Sequence, residues 1–131
     1  MFIERVNVLG VGISVLNLQT ALAAIADAVR AQRKGYICVR DAHGVMVAQK
    51  DAAFRRILNE AFLCTPDGMP MVWMGKLHGH REMSRVYGPD LMLDVCAWSE
   101  KNPCRHFLFH VFILFTYCFF LAHSWRSSPS T

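Results

Sequence analysis

Residues 36–68 read YICVRDAHGVMVAQKDAAFRRILNEAFLCTPDG, and this stretch determines the fold class that the sequence predicts. Two short apolar runs, residues 36–39 and 63–65, have the length and composition of buried strands. Two helices are expected between them, one over residues 42–49 and one that Asp51 caps. A strand, two helices and a second strand predict a parallel strand pair with helices packed against the sheet.

The flanking sequence extends the same pattern in both directions. Upstream, residues 6–9 predict a first buried strand, and a helix capped by Asn17 is expected to run to about Arg33. Downstream, the pattern predicts two more helices and the start of a fourth strand, over residues 69–77, 88–102 and 106–109. The expected fold class is α/β, with a mostly parallel sheet and flanking helices.

Gly10 and Gly12 follow the first predicted strand as a short GxG motif. The motif could line a phosphate site, or it could form a tight turn from the strand into a loop. A full dinucleotide-binding pattern would need a third glycine at the position of Val15. The turn is therefore the favoured interpretation.

The composition divides the chain near residue 107. Of the 131 residues, 53% are hydrophobic and 18% charged, which excludes a disordered chain and leaves room for one domain. All ten acidic residues lie before residue 107, and Arg126 is the one charged residue after it. We therefore expect an α/β domain over residues 1–109. We expect residues 110–131 to be a hydrophobic tail that is not part of this domain.

Three explanations of the tail are open. A change of composition inside an apparent strand is what a shifted reading frame or an aberrant gene end would produce. Residues 107–125 are also just long and apolar enough to form a single membrane span. In that case the chain would be a non-enzymatic α/β module anchored to the membrane. The third explanation is a soluble core segment.

Net charge and cysteine content limit the kinds of binding partner and the cellular compartment that we expect for the protein. The charge is +4, but the basic residues are scattered and not interleaved with aromatic residues, so nucleic-acid binding is not expected. A weak attraction to anionic membrane surfaces stays open. The five cysteines form no CxxC motif and no secretory signal precedes them, which predicts reduced thiols in the cytoplasm. No Cys/His cluster has ligand spacing, so no metal site is expected.

Candidate functional residues follow the predicted strands, at the edge where α/β proteins bind ligands. Asp67, between Pro66 and Gly68, could be a general base that deprotonates a sugar hydroxyl, or it could bond to its own backbone in a turn. Asp41 and His43 could form an acid/base pair. His43 could equally cap or flank the helix that begins there.

Two further candidates lie in the segment RVYGPDLM, residues 85–92. Arg85 could bind a phosphate or a carboxylate, or it could form a surface ion pair with Glu82 or Asp90. Asp90 could simply stabilise the first turn of its helix. Spacing alone leaves these alternatives open.

These segments resemble the WecG/TagA/CpsF family of bacterial glycosyltransferases over about residues 6–109. Four segments carry the resemblance: VNVLGVGIS (6–14), AFRRILNEAFL (53–63), TPDGMPMVW (65–73) and RVYGPDLM (85–92). The last two, in this order and spacing, are fairly specific.

The resemblance implies a Rossmann-like fold and an inverting transfer of N-acetylmannosamine, or a related hexosamine or uronic acid. The donor would be a UDP-sugar and the acceptor a polyprenyl-diphosphate-linked sugar in cell-surface polysaccharide synthesis, with no metal or other cofactor. Asp67 would be the catalytic base. The substrate-binding residues implied are Asp41, His43, Gly68, Arg85, Gly88 and Asp90. The protein would act peripherally at the cytoplasmic face of the cell membrane, and could be an oligomer.

The sequence also departs from the family pattern. Val39 and Asp41 stand where the second strand commonly ends in Thr-x-Asn, and residues 43–46 resemble a subgroup variant, so the sugar could differ. Family members run well beyond this length, in a part that completes the sheet and the nucleotide site. A truncated domain that is inactive or nearly so is therefore expected. A small Rossmann-like nucleotide binder is the remaining alternative.

Overall fold

The computed structural model describes residues 2–102 and 104–106. In this part of the chain, four short strands and five helices form a mixed α/β arrangement. In chain order the elements are β1 (Arg5–Val8), β2 (Val11–Ser14), α1 (Leu18–Arg30), β3 (Ile37–Arg40), α2 (Ala42–Lys50), α3 (Ala52–Glu60), β4 (Leu63–Pro66), α4 (Met69–Leu77) and α5 (Gly88–Glu100).

Strands β3 and β4 form the parallel pair that residues 36–68 predict. Cys38 lies opposite Cys64, and Arg40 lies opposite Pro66 at the carboxyl end. The two helices that connect the strands form as expected, because each has an aspartate at its N-cap. The side chain of Asp41 accepts a hydrogen bond from the Gly44 N–H, and that of Asp51 accepts one from the Phe54 N–H.

The N-terminal segment is a hairpin, which corrects the prediction made for it. Strands β1 and β2 are antiparallel, and Gly12 lies within β2 opposite Asn7. The turn between the strands places Leu9 at φ 51° and Gly10 at φ 85°, the positive values that two-residue hairpin turns use. The GxG motif therefore makes a turn, as favoured, but the turn leads into a strand and not into a loop at the ligand-binding edge.

A hydrogen bond to a side chain joins the hairpin to the parallel pair. The N–H of Cys64 in β4 donates to the Ser14 hydroxyl in β2 over 3.0 Å, and both residues are buried. The mixed α/β class is thus confirmed. The described residues form one antiparallel and one parallel pair, and not the mostly parallel sheet that was predicted.

Two apolar clusters hold the elements together. One joins the hairpin to β3, β4 and helices α2 to α4, and includes Ile13, Val45 and Leu58. The other packs α1 and α5 together, with Ala21, Val86 and Leu91 buried in it. Burial of these apolar surfaces is the main favourable contribution to folding.

The first helix and the C-terminal segment differ from the predictions in detail. Asn17 caps α1 in a capping box with Thr20, but the helix ends at Arg30 and not near Arg33. Of the expected fourth strand, His106 is described; it lies in no strand, and its Nε2 is 2.7 Å from the Ser99 hydroxyl. Residues 107–131, with the predicted tail and membrane span, lie outside the described residues. No helix in the described part is long and apolar enough to cross a membrane.

Candidate functional site

The carboxyl ends of β3 and β4 bring the two candidate aspartates close together. The N–H of Asp67 donates to the Arg40 carbonyl over 2.9 Å, which continues the strand pairing by one residue. A Cβ atom at Gly68 would lie 3.8 Å from the Cβ of Asp41. Asp41, Asp67 and Gly68 therefore share one edge of the parallel pair. This is the edge at which open α/β sheets bind ligands.

Arg85 reaches this edge from a segment 18 residues further along the chain. Its Nε donates to Oδ1 of Asp67 over 3.1 Å. The segment is held in place because the N–H of Val86 donates to the carbonyl of Pro66 over 2.8 Å. The guanidinium also lies 4.6 Å from the centre of the Tyr87 ring. Arg85 thus pairs with Asp67, and among the described residues it forms no ion pair with Glu82 or Asp90.

The Asp67 carboxylate is mostly shielded but still accessible. Its side chain is 23% exposed, whereas that of Arg85 is 50% exposed. The hydrogen bond from Arg85 occupies Oδ1, and no protein donor to Oδ2 is found among the described residues. No bond from the Asp67 side chain to its own backbone is present there either. The geometry leaves one carboxylate oxygen free to accept a proton from a bound substrate.

Gly68 is required by the backbone conformation at this point. Its φ of 157° and ψ of 149° lie in a region that residues with a side chain rarely adopt. Gly68 is also the N-cap of α4, which has no side-chain cap and carries Pro70 in its first turn. The unbonded N–H groups of this first turn therefore lie next to Asp67, where a helix N-terminus favours negative charge.

Gly88 and Asp90 begin α5 on the other side of the strand end. A Cβ atom at Gly88 would lie 3.6 Å from Cγ1 of Val39, so the start of α5 packs directly against the end of β3. Asp90 is exposed in the first turn of α5, where a carboxylate interacts favourably with the helix dipole. Of these two residues, Gly88 shapes the edge, and Asp90 lies beyond hydrogen-bonding contact with Asp67 and Arg85.

Asp41 and His43 follow β3 but do not pair. Asp41 Oδ1 accepts from the Gly44 N–H over 2.9 Å and so caps α2. His43 is exposed on α2, and within the described part of the chain no hydrogen bond or ion pair joins it to Asp41. The structure therefore shows the capping alternative for Asp41. Asp41 remains at the end of β3, and His43 lies two residues further along the chain, in the first turn of α2.

Arg40 is a residue of this edge that the sequence-based site prediction omitted. It is the last residue of β3, and its guanidinium lies 5.3 Å from the centre of the Phe54 ring. Its Nε is buried and has no hydrogen-bond partner in the described part of the chain. Its position at the end of a predicted strand was the available signal. Arg40 thus follows the strand to the same end as Asp41, while its guanidinium packs against Phe54 of α3.

The side chains at this edge offer charges and hydrogen bonds. Among residues 2–102 and 104–106, no group of three His, Cys, Asp or Glu side chains is placed to hold a metal ion. The Arg85 guanidinium is bonded to the carboxylate of Asp67, and the first turn of α4, which has no side-chain cap, begins two residues after it. A carboxylate beside cations can take a proton from a hydroxyl while the cations stabilise an anionic leaving group.

The part of the sequence that builds this site matches one protein-family model. The family model described as Glycosyl transferase WecG/TagA/CpsF family matches residues 6–110. The match covers most of the chain, from the second residue of β1 through the whole site. A comparison with curated proteins finds no match.

The chain belongs to the WecG/TagA/CpsF family of glycosyl transferases. This confirms the resemblance inferred from the four sequence segments. The Asp67–Arg85 pair thus lies in the part of the chain that the family defines.

Proposed function

We propose that the domain transfers N-acetylmannosamine, or a related hexosamine or uronic acid, from a UDP-sugar to a polyprenyl-diphosphate-linked acceptor. Family membership supports glycosyl transfer. The observation that supports these residues as the site of the reaction is the Asp67–Arg85 ion pair. Its Oδ1 and Nε atoms are 3.1 Å apart at the carboxyl end of the parallel strands. The product would enter cell-surface polysaccharide synthesis.

In the proposed reaction, Asp67 is the general base. Its carboxylate removes the proton from the acceptor hydroxyl, and the hydroxyl oxygen forms a bond to the anomeric carbon of the donor sugar. The bond between that carbon and the UDP oxygen breaks, and UDP leaves with the electron pair. Attack from the face opposite UDP inverts the anomeric centre. The free Oδ2 of Asp67 supports this role because it can accept the proton.

Arg85 has two tasks in this proposal. Its bond to Oδ1 holds the Asp67 carboxylate in one orientation, and its half-exposed guanidinium can contact the diphosphate that departs. The negative charge that develops on UDP is further stabilised by the N–H groups at the start of α4 and α5. This account uses only side chains and backbone groups, and we propose that no metal or other cofactor takes part.

The remaining residues of the edge would bind substrate and would take no part in making or breaking bonds. In this proposal Gly68 and Gly88 let substrate approach the backbone closely, and Asp41, His43 and Asp90 would contact the parts of the substrates that do not react. We propose that the family's complete domain forms a Rossmann-like sheet around this edge. We also propose a peripheral location at the cytoplasmic membrane face, because the acceptor is lipid-linked. The low activity expected of the 131-residue chain stays a prediction.

The transfer reaction can be tested directly with the chain in excess over the acceptor. UDP-N-acetylmannosamine and a polyprenyl-diphosphate-linked acceptor are incubated with the protein, and the lipid product is followed by mass spectrometry. Slow formation of one glycosylated product is expected, with its new linkage inverted relative to the donor in its NMR coupling constants. A product with retained configuration would contradict the proposed single displacement.

A UDP-binding measurement tests the site without requiring turnover. Saturation-transfer NMR with UDP is expected to show binding that Arg85→Gln weakens by about tenfold, since charged hydrogen bonds contribute about 1.5–3 kcal/mol. Arg30→Gln is the matched control, because Arg30 pairs with Asp27 on the surface of α1, away from the strand ends. Equal UDP binding by the wild type and both variants would contradict the proposed role of Arg85.

A further inference from the structure

Helix α4 presents an exposed apolar face that the proposed chemistry does not use. We define the exposed α4 face as Met69, Pro70, Trp73, Lys76 and Leu77. Its three large apolar side chains are 45%, 57% and 81% exposed at residues 69, 73 and 77. They recur every four residues and so form one stripe along the helix.

The opposite face of the same helix is packed in the core. Met71, Val72 and Gly75 are buried, and Met71 belongs to the cluster that joins the hairpin to the parallel pair. Helix α4 is thus apolar on both faces, whereas a surface helix of a soluble domain normally turns a polar face to water. Contact with a second apolar phase would remove the stripe from water.

The charges around the exposed α4 face favour an anionic partner. Lys76 lies on the face and is the one charged residue within α4, and no acidic residue occurs between Asp67 and Glu82. Acidic side chains lie at the two ends of the helix: Asp67 precedes it, and in the turn after it His80 lies 3.9 Å from Glu4 and 3.8 Å from Glu82. A cation within an apolar stripe suits the headgroup level of an anionic bilayer.

We propose that the exposed α4 face seats in the boundary between headgroups and acyl chains of an anionic membrane. Leu77 and Met69 would insert, the Trp73 ring would lie at the headgroup level, and Lys76 would extend its ammonium group to the lipid phosphates. The inference rests on the proposed function in one respect: a lipid-linked acceptor brings the enzyme to a membrane. The exposure and charge of the face are independent of it.

The position of α4 connects this contact to the site. The helix begins one residue after Gly68, and nine residues of helix extend about 13 Å. The near end of the face therefore lies beside Asp67. A membrane held against α4 would bring the headgroup of a lipid-linked acceptor to the carboxylate, while its polyprenyl chain stays in the bilayer.

Depth-dependent quenching of Trp73 tests the contact at the residue concerned. The full chain carries Trp98→Phe and Trp125→Phe, so that Trp73 alone fluoresces, and is mixed with vesicles of phosphatidylcholine and phosphatidylglycerol containing brominated lipids. A blue shift and strong quenching of Trp73 are expected. Absence of vesicle binding would overturn the proposal. Binding that leaves Trp73 unquenched would overturn it as well, since another segment would then make the contact.

Variants of the face provide a second, independent measurement. Trp73→Gln with Leu77→Gln is expected to weaken vesicle sedimentation by at least about tenfold, given the apolar area lost. The matched control is Ile57→Gln with Leu93→Gln, which changes two exposed apolar residues on α3 and α5. Circular dichroism verifies that both double variants fold. Equal sedimentation of the face variant and the wild type would overturn the proposal.

Two further measurements test the electrostatic contribution of Lys76 and the alternative that a second copy of the chain covers the exposed α4 face. Lys76→Gln is expected to lower binding about fivefold on anionic vesicles and not on neutral ones. A concentration-dependent dimer in ultracentrifugation that the face variant abolishes, without vesicle contact, would assign the face to a second copy and overturn the proposal. Transfer to a short, water-soluble acceptor reports on the proposed function alone, so the two failures are distinguishable.

Discussion

Asp67 combines two properties that a general base needs: a fixed orientation and an accessible oxygen. Arg85 fixes the carboxylate through Oδ1, and Gly68 allows the backbone to turn directly after it. Arg85 itself is oriented by the Tyr87 ring beneath its guanidinium. A loss at any of these positions should therefore change the geometry of Asp67 as well as local stability.

At the residue scale, Gly68→Ala is expected to lower the free energy of unfolding by about 1–3 kcal/mol. The reason is conformational, because a Cβ at Gly68 meets its neighbours only at ordinary distances of 3.7 Å or more, whereas its φ of 157° disfavours a side chain. Urea denaturation measures the change. Gly88→Ala is the matched control; its nearest neighbour would lie at 3.6 Å and its helical position favours alanine. Equal losses in both variants would contradict this explanation.

The sequence predicted the members of this site better than their partners. Asp67 and Gly68 were recognisable from their place after a strand and from the family resemblance. The partner of Arg85 was not, because the ion pair joins residues 18 positions apart and depends on the Val86–Pro66 backbone bond. Spacing offered Glu82 and Asp90 as partners, since both are near in sequence. Arg40 was omitted because its position after a predicted strand was the one signal available, and the burial of its Nε cannot be read from a single sequence.

At the element scale, helix caps determine where the candidate residues stand. Asp41 and Asp51 begin α2 and α3, and Pro70 and Pro89 occupy first turns in α4 and α5. These are strong local signals, so the predicted starts of all four helices agree with the structure. The hairpin was missed because its turn places Leu9, a residue rarely found at positive φ, next to Gly10.

Two substitutions distinguish whether Asp41 only caps α2 or also acts on the substrate. Asp41→Ala is expected to lower the free energy of unfolding by about 1 kcal/mol, because the Gly44 N–H loses its acceptor. Asp41→Asn keeps an acceptor and should leave both stability and sugar transfer near the wild-type values. Urea denaturation and the product assay measure the two effects. A stable Asn variant that has lost transfer would show that the charge of Asp41 acts on substrate.

At the scale of the whole molecule, two thiols lie in the centre of the parallel pair. Cys38 and Cys64 are opposite each other in the register, buried and free. Burial, with a smaller contribution from Cys38, raises the pKa of the Cys64 thiol from 9.0 to about 11. The folded chain therefore favours the neutral thiol, as expected for reduced cysteines in a core.

This raised pKa predicts a loss of stability in alkali. Between about pH 9 and 11 the unfolded chain loses the Cys64 proton while the folded chain keeps it, so the free energy of unfolding falls as pH rises. The contribution of Cys64 amounts to about 2 kcal/mol over this range. Urea denaturation of the wild type and Cys64→Ala from pH 8 to 11 isolates it, because other titrating groups are common to both. Parallel pH profiles would contradict a buried neutral thiol.

The central claim is that Asp67 is the base of a glycosyl transfer. The most direct test compares single-turnover transfer rates of the wild type, Asp67→Asn and the surface control Asp27→Asn. We predict that Asp67→Asn lowers the rate at least about 100-fold, the usual contribution of a general base, while Asp27→Asn leaves it unchanged. An Asp67→Asn variant that folds and transfers sugar at the wild-type rate would contradict the account.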